Sequence, residues 1–435
     1  MKLGSVYWLR RQNFRLHSDI VVIKNKTRRK IVDMEWILAN LMLFTIPLVS
    51  AVVGWFTNFL AVKMMFYPIE FFGIKPIFGW QGLIPAKRRE MAEIEVELVL
   101  GKLLSVEELA DRLDPNELTK AIQRRLKQVV KKIVNEVMRE SAPHLWAGLP
   151  AAGKDLVYAR IEADIPNVVH KLVNDFQHNV NEILDIKELV VEQLVSEPEL
   201  INEIFLKSGE KEFPFIVKSG FLFGFLFGLP TMLLWHFYQF WWILPIGGLL
   251  VGYLTNWIAI KIIFEPKQPI SLGPFKIQGM FLKRQNDVAR VYSDIIEQKL
   301  INSKNITNMI LHGSGSQQLL ELIELHVNDA IERNVSIAQP YFALGVGSEN
   351  YFRMKELAVE QIFLNSDKYL MYAYDYANKA LQVGNDLCAR MQELSPEEFE
   401  GVLRPAYQAD EWKLILTGAV LGGIAGVAQL YFVFG

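Results

Sequence analysis

Three stretches of the chain contain no Asp, Glu, Lys or Arg: Trp36 to Val62, Ser219 to Ile260, and Leu414 to the C-terminus. A helix rises about 1.5 Å per residue and the hydrocarbon core of a bilayer is about 30 Å thick, so about 20 apolar residues cross it. The first stretch therefore holds one span, the middle one two and the last one more. This predicts four transmembrane helices, over 34–66, 215–236, 240–264 and 413–435. The middle pair turns near His236 to Gln239, where Trp235, Tyr238, Trp241 and Trp242 supply the amphipathic rings favoured at headgroup depth.

Between the spans the apolar positions recur every three or four residues. Leu118, Ile122, Leu126, Val129, Ile133 and Val137 form one stripe, and Leu319, Ile323, Val327, Ile331 and Val335 another. Both predict amphipathic helices. Asp114 with Glu117, Ser196 with Glu199 and Ser395 with Glu398 read as capping boxes, which satisfy orphan backbone donors at helix starts. Pro115 and Pro396 fall at the favoured first helical position. Around Gln81-Gly82 and Gln278-Gly279 the Pro and Gly content forbids a continuous helix and predicts a short hairpin or surface loop at the membrane boundary. The expected fold is an all-α integral membrane protein with two helical soluble lobes, 67–214 and 265–412.

The pattern is written twice. Residues 54–68, GWFTNFLAVKMMFYP, return as 252–266, GYLTNWIAIKIIFEP, at an offset of 198. Gly54, Thr57, Asn58, Ala61, Lys63, Phe66 and Pro68 recur as Gly252, Thr255, Asn256, Ala259, Lys261, Phe264 and Pro266. The closing spans match as well, with Gly220, Gly224 and Gly228 aligned to Gly418, Gly422 and Gly426. Such self-similarity predicts two repeats, 36–235 and 236–435, each a span, a soluble insertion and a second span. An even number of crossings separates the two insertions, so the repeats are parallel and both insertions face one side. Lys63, Lys75, Lys87, Arg88 and Arg89 flank the first span, Lys261 and Lys267 the third, and Lys218 and Lys413 the others, whereas the central turn has no basic residue. By the positive-inside rule the insertions face the cytoplasm. Residues 1–33 stand apart as a basic leader whose nine Lys and Arg pull the other way, unless Met34 is the native start.

The recurring polar motif admits two readings. Ser50, Gly54 and Asn58, like Gly248, Gly252 and Asn256, are spaced by four and share a helix face, with Thr57 and Thr255 beside them. Small residues with an amide make a helix contact face, on which the two Asn side chains join the repeats, bonding to each other across a pseudo-twofold axis. The alternative is a polar intramembrane site for an ion or lipid headgroup. Glycines four apart, as in Gly220, Gly224 and Gly228, offer a smooth packing face of the same kind. Lys63 and Lys261 follow five residues after the Asn, on another face, where they snorkel to headgroups or contact a ligand. Lys87 and Arg88, or Lys283 and Arg284, are further candidate headgroup contacts.

Composition excludes more than it proposes. A net charge of −2 gives no reason to expect nucleic acid, and the single cysteine, Cys388, rules out an internal disulfide. The chain has no Walker loop, no G-x-S-x-G elbow and no H-E-x-x-H, and His170 with His178 is too weak a pair to predict a metal. No enzyme activity, cofactor or metal is expected. The paired G-x-x-T-N-x-x-A-x-K motifs and the G-W-Q-G-L-I-P-A-K-R-R element resemble the YheB/YjiN group of bacterial membrane proteins with an uncharacterised conserved domain, over residues 34–435. The resemblance implies a helical inner-membrane protein and carries no catalytic residue. The expected role is a membrane-anchored helical scaffold that binds membrane lipids and either self-assembles or engages a protein partner. The alternative is an oligomeric conduit for lipid, ion or small solute.

Overall fold

A computed structural model of the chain describes residues 41–74, 78–273, 275–335, 347–404, 408 and 410–434. The basic leader and the start of the first expected span lie outside the described residues.

Four helices are long and apolar enough to cross a membrane: Leu41–Phe66, Glu212–Tyr238, Ile243–Phe264 and Glu411–Phe434. Only 33–39% of their apolar windows is buried in the protein, so most of the apolar surface faces outward, as lipid-facing helices require. These helices belong to one unit, made of the described residues 41–65, 211–265 and 410–434. Within it the first span packs on the second and the third on the fourth, because the glycine faces allow close backbone approach. A Cβ added at Gly54 would collide with the carbonyl of Gly220, and one at Gly252 with the carbonyl of Gly418. The second and third spans are joined by a tight turn in which Gln239 adopts φ 44°. Tyr238, Phe240 and Trp242 stack there with ring centroids 6.2 and 6.0 Å apart. Beneath the turn Ile46, Trp235, Ile243 and Leu244 are buried together.

The second unit combines the described residues within 66–210 and 266–408. The segments read as two lobes therefore fold as one body with a shared core. Val137, Met138, Trp146, Tyr158 and Ile183 from the first segment are buried against Leu319, Ile323, Val327, Met354 and Val359 from the second. The helices Pro115–Ser141 and Ala151–His178 pack against Ser316–Val335 and Ser348–Leu364 in this cluster. Polar bonds also cross between segments. Buried His326 lies 2.8 Å from Asp175, and Asn305 Nδ2 donates to Gln193 Oε1 at 3.0 Å.

The helix-start signals fare unequally. Ser395 and Glu398 form a complete capping box, with Pro396 at the first turn. Asp114 caps Pro115–Ser141 by accepting from the Asn116 amide, without a reciprocal bond from Glu117. Ser196 is not a cap: it ends the helix Ile186–Ser196, its hydroxyl donates back to the Gln193 carbonyl, and Glu197 precedes the next helix. Pro198 sets that boundary one residue later than the Ser-x-x-Glu pattern predicts, since proline suits the first helical turn. The loops around Gln81 and Gln278 are two-stranded hairpins, Phe72–Ile74 with Phe78–Trp80 and Ile270–Leu272 with Phe275–Ile277.

Candidate functional site

The duplicated motif occupies the same geometry in both span pairs. Asn58 is 1% exposed and its Nδ2 donates to the Ile216 carbonyl at 2.7 Å, while Asn256, 2% exposed, donates to the Leu414 carbonyl at 2.7 Å. Both bonds link an opening span to the closing span of its own half. The expectation that the two amides bond to each other is thus corrected. The reason is steric: a Cβ at Gly220 would stand 2.6 Å from Asn58 Nδ2, so only a glycine lets the amide reach into the carbonyl row, and Gly418 serves Asn256 likewise. Thr57 and Thr255 return their hydroxyls to their own helices, to the Gly54 carbonyl at 3.2 Å and the Val251 carbonyl at 2.9 Å. The remaining glycines extend the two seams, with Gly224 and Gly228 against Ser50, Gly422 against Gly248 and Gly426 against Leu244. The Asn58 and Asn256 Oδ1 atoms are buried without a hydrogen-bond partner.

The motif lysines face outward, apart from this seam. Lys261 Nζ pairs with Glu265 at 3.1 Å and lies 4.9 Å from the Trp257 ring, so it is held along its own helix. Lys63 is exposed. Lys87 and Arg284 sit at equivalent helix starts and pair with Glu90 at 3.7 Å and Asp287 at 3.4 Å; Arg88 is half-buried and Lys283 exposed.

A small cavity opens where the four spans meet, lined by Ser50 and Thr231 of the first half and Gly248 and Gln429 of the second. These are equivalent positions, 50 with 248 and 231 with 429 at the offset of 198. The space suits about one water molecule. Ser50, Thr231 and Gln429 are buried, and the Gln429 amide reaches the Thr45 hydroxyl only at 3.5 Å.

One pair in the second unit escaped sequence reasoning. Tyr292 donates its hydroxyl to Glu95 Oε2 at 2.7 Å, and both are buried. The surrounding cavity is walled by apolar side chains, including Val96, Val99, Leu194, Phe205 and Ile296. Burial pushes the Glu95 carboxyl up to about 8, against a smaller lowering effect of the Tyr292 bond. Burial and the adjacent carboxyl push the Tyr292 phenol up too. The two residues are 197 apart, the offset that also relates Gln81-Gly82 to Gln278-Gly279. Each precedes a π-helical turn, Val99–Leu103 or Ile296–Leu300, the type of helical irregularity that clusters at functional sites. The available signal was an acid on the apolar face of a helix, between Met91 and Val99. Among the described residues no His, Cys, Asp and Glu are grouped to hold a metal, so His170 and His178 are not brought into such a set.

Residues 48–152 match a family model described as a protein of unknown function (DUF445). A UPF0754 membrane protein of Microcystis aeruginosa is 31% identical over 157 residues, 35% of this chain and 36% of that protein. Another, from Thermosynechococcus vestitus, is 33% identical over 105 residues, 23% of each chain. A third, from Staphylococcus epidermidis, is 28% identical over 102 residues, 23% of this chain and 27% of its own. The chain is a bacterial membrane protein. Its matches span about a quarter to a third of these relatives, and the relatives' names assign no reaction. No solved structure matches it.

Proposed function

We propose that this membrane protein is a non-enzymatic helical scaffold, in which four spans anchor a soluble helical unit that engages a protein partner or further copies of the chain. The observation that carries the reading is the use of the motif amides. Asn58 and Asn256 are spent on carbonyls of neighbouring spans, a packing role worth about 0.6 kcal/mol and up to about 2 kcal/mol per bond. The two halves are taken as parallel repeats with both soluble insertions on the cytoplasmic side, in line with the lysines that flank the spans. The repeated motifs favour a place within the YheB/YjiN group.

The cavity at the span junction favours a second reading, a conduit. Buried hydroxyls and an amide at equivalent positions of two halves are the kind of intramembrane polar group that marks a pathway. One experiment separates the two. Asn58→Leu with Asn256→Leu, reconstituted in vesicles, should lower the unfolding temperature and leave ion and solute flux at the wild-type level. Wild-type flux that disappears in a variant of unchanged stability would sink the scaffold reading.

A further inference from the structure

The two hairpins present one feature that neither a scaffold nor a conduit accounts for. Each is rooted where an opening span ends. Pro68 follows two residues after Phe66, and Pro266 two after Phe264. The Gly82 amide donates to the Pro68 carbonyl at 2.9 Å and the Gly279 amide to the Pro266 carbonyl at 3.0 Å, closing each hairpin at its base. Gln81 and Gln278 fasten the same corners, donating to the Ile69 carbonyl at 2.8 Å and the Lys267 carbonyl at 3.1 Å.

The register makes each hairpin two-faced. Phe72 pairs with Trp80 and Ile270 with Ile277, and side chains alternate along a strand. Phe72, Ile74 and Trp80 therefore share one face of the first hairpin, and Gly73 and Gly79 the other. In the second, Ile270 and Ile277 share a face opposite Ser271 and Lys276. Most of each apolar face is bare, with Phe72 79%, Ile74 76%, Ile270 53% and Ile277 47% exposed, while Trp80 is half-buried. No third strand joins either pair among the described residues. A two-stranded hairpin alone is marginal in water, so a bare apolar face on a base this firmly tied calls for a cover. The residue types differ between the hairpins while the apolar character of the face is kept.

We propose that these faces lie in the boundary between headgroups and acyl chains and bind membrane lipid. Continuity decides the occupant. A hairpin whose base is covalently two residues from the end of a span starts at the membrane surface, where an apolar face buries in the boundary and a polar face stays wet. Ser271 and Lys276 supply such a polar face, and a lysine there suits anionic headgroups. The inference rests on Leu41–Phe66 and Ile243–Phe264 being spans and is independent of the scaffold role.

The test uses the full chain with Cys388→Ser and a single new cysteine, Phe72→Cys or Ile277→Cys, carrying an environment-sensitive fluorophore. Both positions are exposed, so the fold tolerates the change, and each hairpin carries the test independently. In nanodiscs of phosphatidylethanolamine and phosphatidylglycerol, a spin label at the top of the acyl chain should quench the fluorophore several-fold more than aqueous iodide does. Strong iodide quenching with none from the lipid would overturn the proposal. Protection from both quenchers would overturn it too, by pointing to a protein cover.

Discussion

Glu95 shows how far one buried residue can set the behaviour of the second unit. In the folded chain its carboxyl keeps its proton up to about pH 8, whereas unfolded it would ionise near the ordinary 4.5. Between those values the folded state holds the additional proton. The group therefore favours folding most below 4.5, and that share falls as pH rises to about 8, by a few kcal/mol at most. Glu95→Gln should flatten this decline in thermal unfolding of the detergent-solubilised protein between those pH values. A wild-type slope kept by the variant would show that another group titrates. The motif asparagines offer a contrast at the same scale. Their amides have partners within hydrogen-bond distance, so their contribution to the fold is a pair of directed bonds with no proton at stake.

At the scale of elements, the same capping signal has different consequences in different places. Ser395 accepts from the Glu398 amide, and Glu398 returns a bond to the Ser395 amide. Ser395→Ala should cost about 1 kcal/mol, the usual worth of an N-cap. Ser196→Ala should cost far less, because Ser196 ends a helix and its hydroxyl only returns to its own carbonyl row. Comparing the two variants in denaturant unfolding checks the assignment, and equal losses would contradict it. The spans themselves were legible in the chain, since a stretch without charges must form a helix in lipid to satisfy its own backbone. Their ends shifted by a few residues, from 215 to Glu212 at the second and from 240 to Ile243 at the third. Acids at helix starts and an aromatic turn blur the point where apolar composition stops and helix ends.

On the scale of the whole molecule, the two segments between the spans depend on each other. Tyr158 and Trp146 of the first segment share a buried cluster with Ile323 and Met354 of the second, and the segments are joined by Arg112 with Asp386 and Lys102 with Glu398. Residues 67–210 expressed alone would expose that half of the core. They should be protease-sensitive and associate, and should become protected when residues 266–408 are supplied in trans. A monomeric, protease-resistant fragment 67–210 would contradict the shared core. Helix periodicity predicts each apolar stripe yet carries no information on which stripe covers which, so two lobes and one unit look alike along the chain.

The chain by itself determined what its local chemistry constrains: four charge-free lengths that cross a bilayer, amphipathic stripes between them, proline-marked helix starts, and a motif written twice with its glycines. Partner choice waited for the tertiary structure. Asn58 meets Ile216 and Tyr292 meets Glu95 across 158 and 197 residues. Those meetings depend on which backbones can approach closely and on which buried polar group finds another, and both are properties of packing in three dimensions.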